Sequence, residues 1–440
     1  MFPYRRCRAY DPLVTSAALA ALGCADADDL AIDGIAAREL ADRFGTPLYA
    51  YSAAGLRRRA AAVRAALGQS VEVLYSIKAN PSLAIAGLLR EAGLGAEIAS
   101  LGELHLARAA GFDVAALRFA GPGKTELEIA TAVAAGVGTF HVESLDEIAV
   151  LAAAARAANR RVAVAVRVNL PQELAGARMR MGGKTSRFGI DEAQTPEALA
   201  AVTAAPHLDL IGLHVYAGTQ CFDAAAFVAH ATRFVAAAAA WERDCGVRLP
   251  ELDLGGGFGV PLFAGDPEFD LAAAGRGLAE LIAAHDRRDR RWFVELGRYL
   301  TAPFGVYLTR VVATKTSGGV RHVVLDGGLH QCAAAMGSGA VLKRPPLLVA
   351  ADDLRGVAVP QTLGGPLCTP LDQFGTDLEL PALAVGDVVA VLGAGAYGLS
   401  YSPTGFLSHA TPAEVLVDGG RVRVIRARGD AEDVLRGQLP

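Results

Sequence analysis

A chain of 440 residues exceeds what one hydrophobic core usually organises, so two domains are expected. Hydrophobic residues make up 52% and charged residues 20%, which excludes a disordered chain; the excess of Ala and Gly over aromatics suits helices packed on a compact sheet or barrel. The net charge is −4 and the arginines are scattered, which excludes a nucleic-acid-binding stripe.

Arg5, Arg6 and Arg8 precede an apolar stretch from Ala17 to Cys24, a faint likeness to a lipoprotein export signal. Asp11, Pro12, Thr15 and Ser16 interrupt the apolar region such a signal needs, so a short surface helix is expected instead. No run of about 18 apolar residues occurs elsewhere, and no bilayer span or membrane partner is expected. Asp33 to Tyr51 reads as a helix and turn feeding a strand. Short apolar runs then alternate with Ala-rich helical stretches. The apolar runs are Val71 to Ser76, Ala96 to Ala99, Arg118 to Ala120, Thr139 to Val142, Val162 to Val168, Leu210 to Val215 and Glu251 to Leu254, with Ser82 to Ala92, Leu101 to Ala110, Glu126 to Ala135 and Leu145 to Ala158 between them. This is the βα beat of a parallel sheet; roughly eight strands over roughly 250 residues favour a (β/α)₈ barrel over an open sheet. After about residue 300 the texture turns to β segments broken by Gly and Pro: Val306 to Thr314, His322 to Asp326, Leu347 to Ala350, Val388 to Val391 and Ala413 to Val417. The expected division is a barrel over 48–300 and a mostly antiparallel β-domain from 1–47 with 301–440. The six cysteines, at 7, 24, 221, 245, 332 and 368, form no C-x-x-C pair, no metal-ligand spacing and no disulfide framework, which fits a reducing cytoplasm.

Lys78 lies where an early strand ends and Asn80-Pro81 breaks the chain, which puts an amine at the barrel mouth. An amine there can form an imine with an aldehyde cofactor if its surroundings free it of its proton. Taken alone, a lysine at a strand end is more often a solvated one.

Lys78 is one of seven short pieces. In chain order they are Tyr75-Ser76-Ile77-Lys78-Ala79-Asn80, Ser186-Arg187-Phe188-Gly189, Gly212-Leu213-His214-Val215-Tyr216-Ala217-Gly218-Thr219-Gln220, Asp253-Leu254-Gly255-Gly256-Gly257-Phe258-Gly259, Glu295-Leu296-Gly297-Arg298, Gly365-Pro366-Leu367-Cys368 with Asp372, and Gly395-Ala396-Tyr397-Gly398. Each alone is weak. In this order they resemble the fold-type III pyridoxal 5'-phosphate (PLP) decarboxylases, the group of diaminopimelate and ornithine decarboxylases, over roughly Glu39 to Val417.

The resemblance implies an α/β fold with a (β/α)₈ barrel and an alanine-racemase-like β-domain, and PLP-dependent decarboxylation of an amino acid through a Schiff base on Lys78. It makes Glu295 the partner of the pyridinium nitrogen, which improves the ring as an electron sink. It has Gly255, Gly256 and Gly257 hold the phosphate with Thr219 and Tyr397, beside Gly297 and Arg298. Arg298, Asp372 and Tyr397 become substrate contacts, and His214 or Tyr216 covers the ring. Cys368 would donate a proton to Cα from the partner subunit, which makes the protein a homodimer with shared sites.

Three departures bear on the substrate. Tyr216 replaces the second histidine of the family's His-x-His-x-Gly-Ser-Gln. Cys368-Thr369-Pro370 replaces Cys-Glu-Ser, whose glutamate grips the distal ammonium of diaminopimelate, and Asp326-Gly327-Gly328-Leu329-His330 leads into no Arg-Pro-Ala-Leu-Tyr element. Diaminopimelate, lysine and ornithine therefore fit poorly. With Arg180-Met181-Gly182-Gly183, these departures resemble a biosynthetic branch that includes a decarboxylase of glutamate tethered to an acyl carrier protein. Lys343 and Arg344 could meet such a carrier, or be a solvated basic pair.

Two motifs mislead. Gly393-Ala394-Gly395-Ala396-Tyr397-Gly398 satisfies G-x-G-x-x-G, but Leu399-Ser400-Tyr401-Ser402-Pro403 cannot open the required helix; Gly121-Pro122-Gly123-Lys124-Thr125 lacks the first glycine of a P-loop. The alternatives to a decarboxylase are a PLP racemase, against which Cys368 argues, and a non-catalytic PLP-binding protein, which would have no use for residues 301–440.

Overall fold

The computed structural model describes residues 12–24, 27–171, 174–183, 185–285, 289–336 and 344–439. Two compact units divide the chain. One comprises Arg57–Gly259 and Glu268–Leu300; the other comprises the residues up to Leu56, Val260–Pro267 and the residues from Thr301 onward.

The first unit is a closed barrel of eight parallel strands: β1 (Val71–Ser76), β2 (Gly95–Ile98), β3 (Arg118–Phe119), β4 (Thr139–Val142), β5 (Val162–Asn169), β6 (Leu208–His214), β7 (Glu251–Gly256) and β8 (Arg291–Leu296). Each pairs with the next, and β8 returns to β1 with Glu295 opposite Leu74. The strands are apolar almost throughout because helices cover them outside and side chains fill them inside. Helix starts are written locally. Ser100 and Ser144 cap Leu101–Ala109 and Leu145–Ala157, and Thr125 and Glu128 form a reciprocal capping box before Glu126–Ala135, which Gly136 closes in the left-handed conformation. Helix Ala224–Cys245 is long and apolar enough to cross a membrane by length and composition alone. Its apolar character comes from an alanine run, and it buries Phe227, Phe234, Val235 and Trp241.

The second unit is a nine-stranded, mostly antiparallel sheet. Its long strand Gly305–Ser317 pairs antiparallel with Leu48–Ser52, Val320–Leu325 and Val388–Val391. Leu48–Ser52, where the sequence reading opens the barrel, lies in this sheet and also pairs parallel with Ala413–Asp418. All five of its residues are buried, and a short buried apolar run reads alike in either sheet. The expected short helix is present as Pro12–Ala21, with Ser16 and Ala20 exposed and Leu19 buried; Leu19, and Leu22 and Cys24 just after the helix, join the core of this unit with Leu40, Val306, Leu308 and Val415. Arg5, Arg6 and Arg8 lie outside the described residues.

Candidate active site

The polar residues of the barrel gather inside it and at the strand C-terminal ends. Low in the barrel, Arg118 makes a buried ion pair with Glu251 at 2.6 Å and lies over the Phe293 ring. Two residues further along the same strands, and so on the same face, stand Asp253 and Glu295. Glu295 is 2% exposed, and its Oε1 has no hydrogen-bond partner among the described residues. His214 Nε2 lies 3.4 Å from Glu295 Oε2, and His141 Nδ1 lies 3.8 Å from Oε1. Burial would raise the Glu295 carboxyl, but His214, Lys78 and Arg167 outweigh it and hold the group down at about 2. Burial and the Glu295 charge push Asp253 the other way, well above the usual carboxylate range. His141, His214, Asp253 and Glu295 each offer a ligand atom within 4.8 Å of the others, a set that no sequence spacing announces.

Lys78 occupies the single turn Ile77–Ala79 that follows β1, and its Nζ donates to both oxygens of Glu97 at 2.7 Å. Glu103 stands nearby; desolvation and the Glu97 charge raise it to about 7. His214 ends β6, with Tyr216 half-buried two residues on and Thr219 in a short strand opposite Met179. Gly255 and Gly256 end β7 and Gly257 follows it. They have a packing reason of their own: a Cβ at these positions would overlap the carbonyl oxygens of Val215, Glu295 and Gly218. Gly297, next after β8, has room for no Cβ against Ala79, and Arg298 follows it.

Cys368, Asp372 and Tyr397 belong to the second unit. Cys368 is exposed, and Tyr397 holds a left-handed φ of 52°. Asp372 is buried, and both its oxygens accept backbone hydrogen bonds at 2.7 Å, Oδ1 from Leu329 and Oδ2 from Leu367. It therefore ties the Gly327–Leu329 turn to the loop that carries Cys368.

Sequence reasoning missed Glu97, Glu103, His141, Glu143, Arg167 and the part played by Asp253. The available signal was a polar residue interrupting an apolar run near a strand's C-terminal end, as in Ala96-Glu97-Ile98 and Phe140-His141-Val142. The Ser186–Gly189 motif closes locally: Glu143 accepts from the amides of Gly121 and Gly189 and from Arg167, whose guanidinium lies over Phe188. Lys124 of the P-loop-like segment is buried against Glu147 and the carbonyls of Gly121 and His141. Arg344 is tied to Asp266 at 2.9 Å, and Lys343 lies outside the described residues.

An amine at a barrel mouth, a buried carboxylate with an open oxygen and strand ends without Cβ atoms fit a cofactor bearing an aldehyde, a ring nitrogen and a phosphate. Fold and site thus define a barrel enzyme of the kind that uses pyridoxal phosphate. Residues 53–302 match the family described as pyridoxal-dependent decarboxylase, pyridoxal binding domain, and the chain belongs to that family. The "L-glutamyl-[BtrI acyl-carrier protein] decarboxylase" of Niallia circulans is 36% identical over 409 residues, 91% of this chain and 95% of its own. A diaminopimelate decarboxylase of Zymomonas mobilis is 33% identical over 93% of this chain and 96% of its own. Among solved structures, AQ1208 of Aquifex aeolicus superposes with a TM-score of 0.83 at 29% identity, covering 93% of this chain and 95% of its own. Diaminopimelate decarboxylase of Helicobacter pylori complexed with L-lysine does so with a TM-score of 0.83 at 26% identity, covering 90% and 98%. The protein is a PLP-dependent decarboxylase, and the racemase and non-catalytic readings are not favoured.

Proposed function

We propose that this decarboxylase is a cytoplasmic biosynthetic homodimer whose substrate is an amino acid joined as a thioester to an acyl carrier protein. The observation that carries the substrate reading is that, among the described residues of the Asp326 turn and the Cys368 loop, each acid is already engaged rather than free to meet a distal ammonium. Thr369 stands next to Cys368, while Asp372 and Asp326 have their oxygens engaged by Leu329, Leu367, Thr46, Thr309 and the Arg310 amide. A distal cation would be left unpaired, which selects strongly against diaminopimelate, lysine and ornithine. The similarity to the glutamyl-carrier decarboxylase of Niallia circulans supports a tethered substrate.

When bound, PLP takes up the electron pair left at Cα as CO₂ departs. Lys78 Nζ is the amine for the cofactor aldehyde, and the Glu97 carboxylate 2.7 Å away can take the proton that this amine must shed. Glu295 offers its open Oε1 to the ring nitrogen. The glycines of β7, with Thr219, Tyr397, Gly297 and Arg298, receive the phosphate or the substrate carboxylate. Tyr216 or His214 covers the ring, and the partner subunit's Cys368 returns a proton to Cα.

The test reconstitutes the protein with PLP and measures CO₂ release from diaminopimelate, lysine, ornithine, free glutamate and glutamyl thioester on a carrier protein. Release from the thioester, at least ~100-fold above the diamines, is expected; equal turnover of a free diamine would overturn the substrate reading. Mixed dimers of Lys78→Ala and Cys368→Ala chains should recover activity that neither variant has alone. No recovery would refute the shared site.

A further inference from the structure

His141 has no part in the reaction as set out above, yet its placement is specific. The ring is fully buried in β4, and neither nitrogen makes a hydrogen bond among the described residues. It packs against the His214 ring with centroids 4.3 Å apart and planes tilted by 31°. The two imidazoles address different oxygens of one carboxylate: His214 Nε2 is 3.4 Å from Glu295 Oε2, and His141 Nδ1 is 3.8 Å from Oε1, the oxygen left open. Asp253 completes the set; its Oδ1 accepts from the Gly255 amide at 3.0 Å, and its Oδ2 has no hydrogen-bond partner among the described residues.

We propose that His141 is a positioning residue: packed on the His214 ring with Nδ1 3.8 Å from Glu295 Oε1, it keeps that oxygen clear of a competing cation, so that it is available to the cofactor's ring nitrogen. The proposal rests on the reading of Glu295 as the ring-nitrogen partner. Two imidazolium rings 4.3 Å apart in a buried site repel each other, so the pair carries at most one positive charge. The shorter contact to a carboxylate oxygen is the one made by His214. Every cation facing His141 works in the same direction. Beyond burial itself, His214, Arg118, Lys124 and Arg167 hold it well below the ordinary histidine range. Around the carboxylates, Lys78, Arg167 and His214 face Glu295, while Glu295, Arg118 and Glu97 face Asp253. Acidification that forces a proton onto His141 would set a cation beside Oε1, in competition with the ring nitrogen.

The test measures PLP binding to the apo-protein across pH by its visible absorbance, with no turnover involved. Wild-type affinity should fall on the acid side as His141 gains a proton. His141→Phe keeps a stacked ring without titrating nitrogens, and should bind PLP about as wild type does at neutral pH yet ~10-fold tighter than wild type at the acid end. His141→Gln should also lose the acid limb, and serves if the Phe variant fails to fold. In wild-type apo-protein labelled with ¹⁵N-histidine, the His141 signals should stay those of a neutral ring through the range in which an ordinary histidine titrates. An acid limb that superimposes on wild type in the folded variants, or an ordinary titration of His141 in the labelled protein, overturns the proposal. Glu295→Gln separates the two readings. If it leaves PLP affinity unchanged at every pH, the ring-nitrogen reading of Glu295 has failed; if it weakens binding while His141→Phe follows wild type, only the role of His141 has.

Discussion

Asp372 illustrates what residue type alone leaves open. Its place four residues after Cys368 implies a substrate contact by family resemblance, yet both of its oxygens are bound by main-chain N–H groups of Leu329 and Leu367. These bonds tie it to the backbone of the Cys368 loop, and a positioning role there predicts the following outcome. Asp372→Ala should cost ~1–3 kcal/mol for each amide left buried without a partner, measured by denaturant unfolding. It should lower kcat more than it raises KM; the reverse pattern would restore it as a substrate contact. Lys78 became a candidate through its place in the ordered set of seven motifs, since a lysine at a strand end carries no such signal by itself. Glu97 was not a candidate, since a glutamate inside a four-residue strand looks ordinary until the adjacent strand brings Lys78 to 2.7 Å.

At the scale of elements, some helix starts are set by chemistry that is self-contained. Ser144 and the Thr125/Glu128 box begin helices as their sequences imply, because capping needs only neighbours in the chain. Thr125→Ala should cost ~1 kcal/mol, read from the shift in the urea midpoint at constant slope; no shift would mean that Glu128 alone satisfies the helix start. The glycines at the end of β7 were equally visible, but for a partly different reason. A phosphate cradle needs no Cβ, and so does the close passage of β7 against the carbonyls of Val215 and Glu295. The strand Leu48–Ser52 went to the other sheet because an apolar pentapeptide carries no mark of its partners.

Across the whole molecule, buried ionisable groups give stability a pH dependence of known sign. Burial, helped by a neighbouring cation or imidazole, pushes His230 and His330 down to about 4 from an ordinary 6.5, so between those values the unfolded chain binds more protons than the folded one. Stability should therefore rise with pH across that window. Glu103, raised from 4.5 to about 7, acts in the opposite direction, binding its proton more tightly when folded and losing stability as pH rises between those values. Thermal unfolding from pH 4 to 8 should show the acid limb reduced in a His230→Gln, His330→Gln double variant, and the decline towards pH 7 reduced in Glu103→Gln. Parallel curves for wild type and variants would show that other groups govern the profile.

By itself the sequence determined the βα beat and the turn to β texture after residue 300, because periodicity is written in neighbouring residues, and its ordered short motifs carried the family resemblance that implied the cofactor. Tertiary structure alone decided which sheet receives Leu48–Ser52, that Asp372 serves the backbone, and that His141, His214, Asp253 and Glu295 share one buried space. These residues come from β4, β6, β7 and β8, as much as 154 positions apart between His141 and Glu295. Closure of the barrel, and no local pattern, brings them within reach of one another.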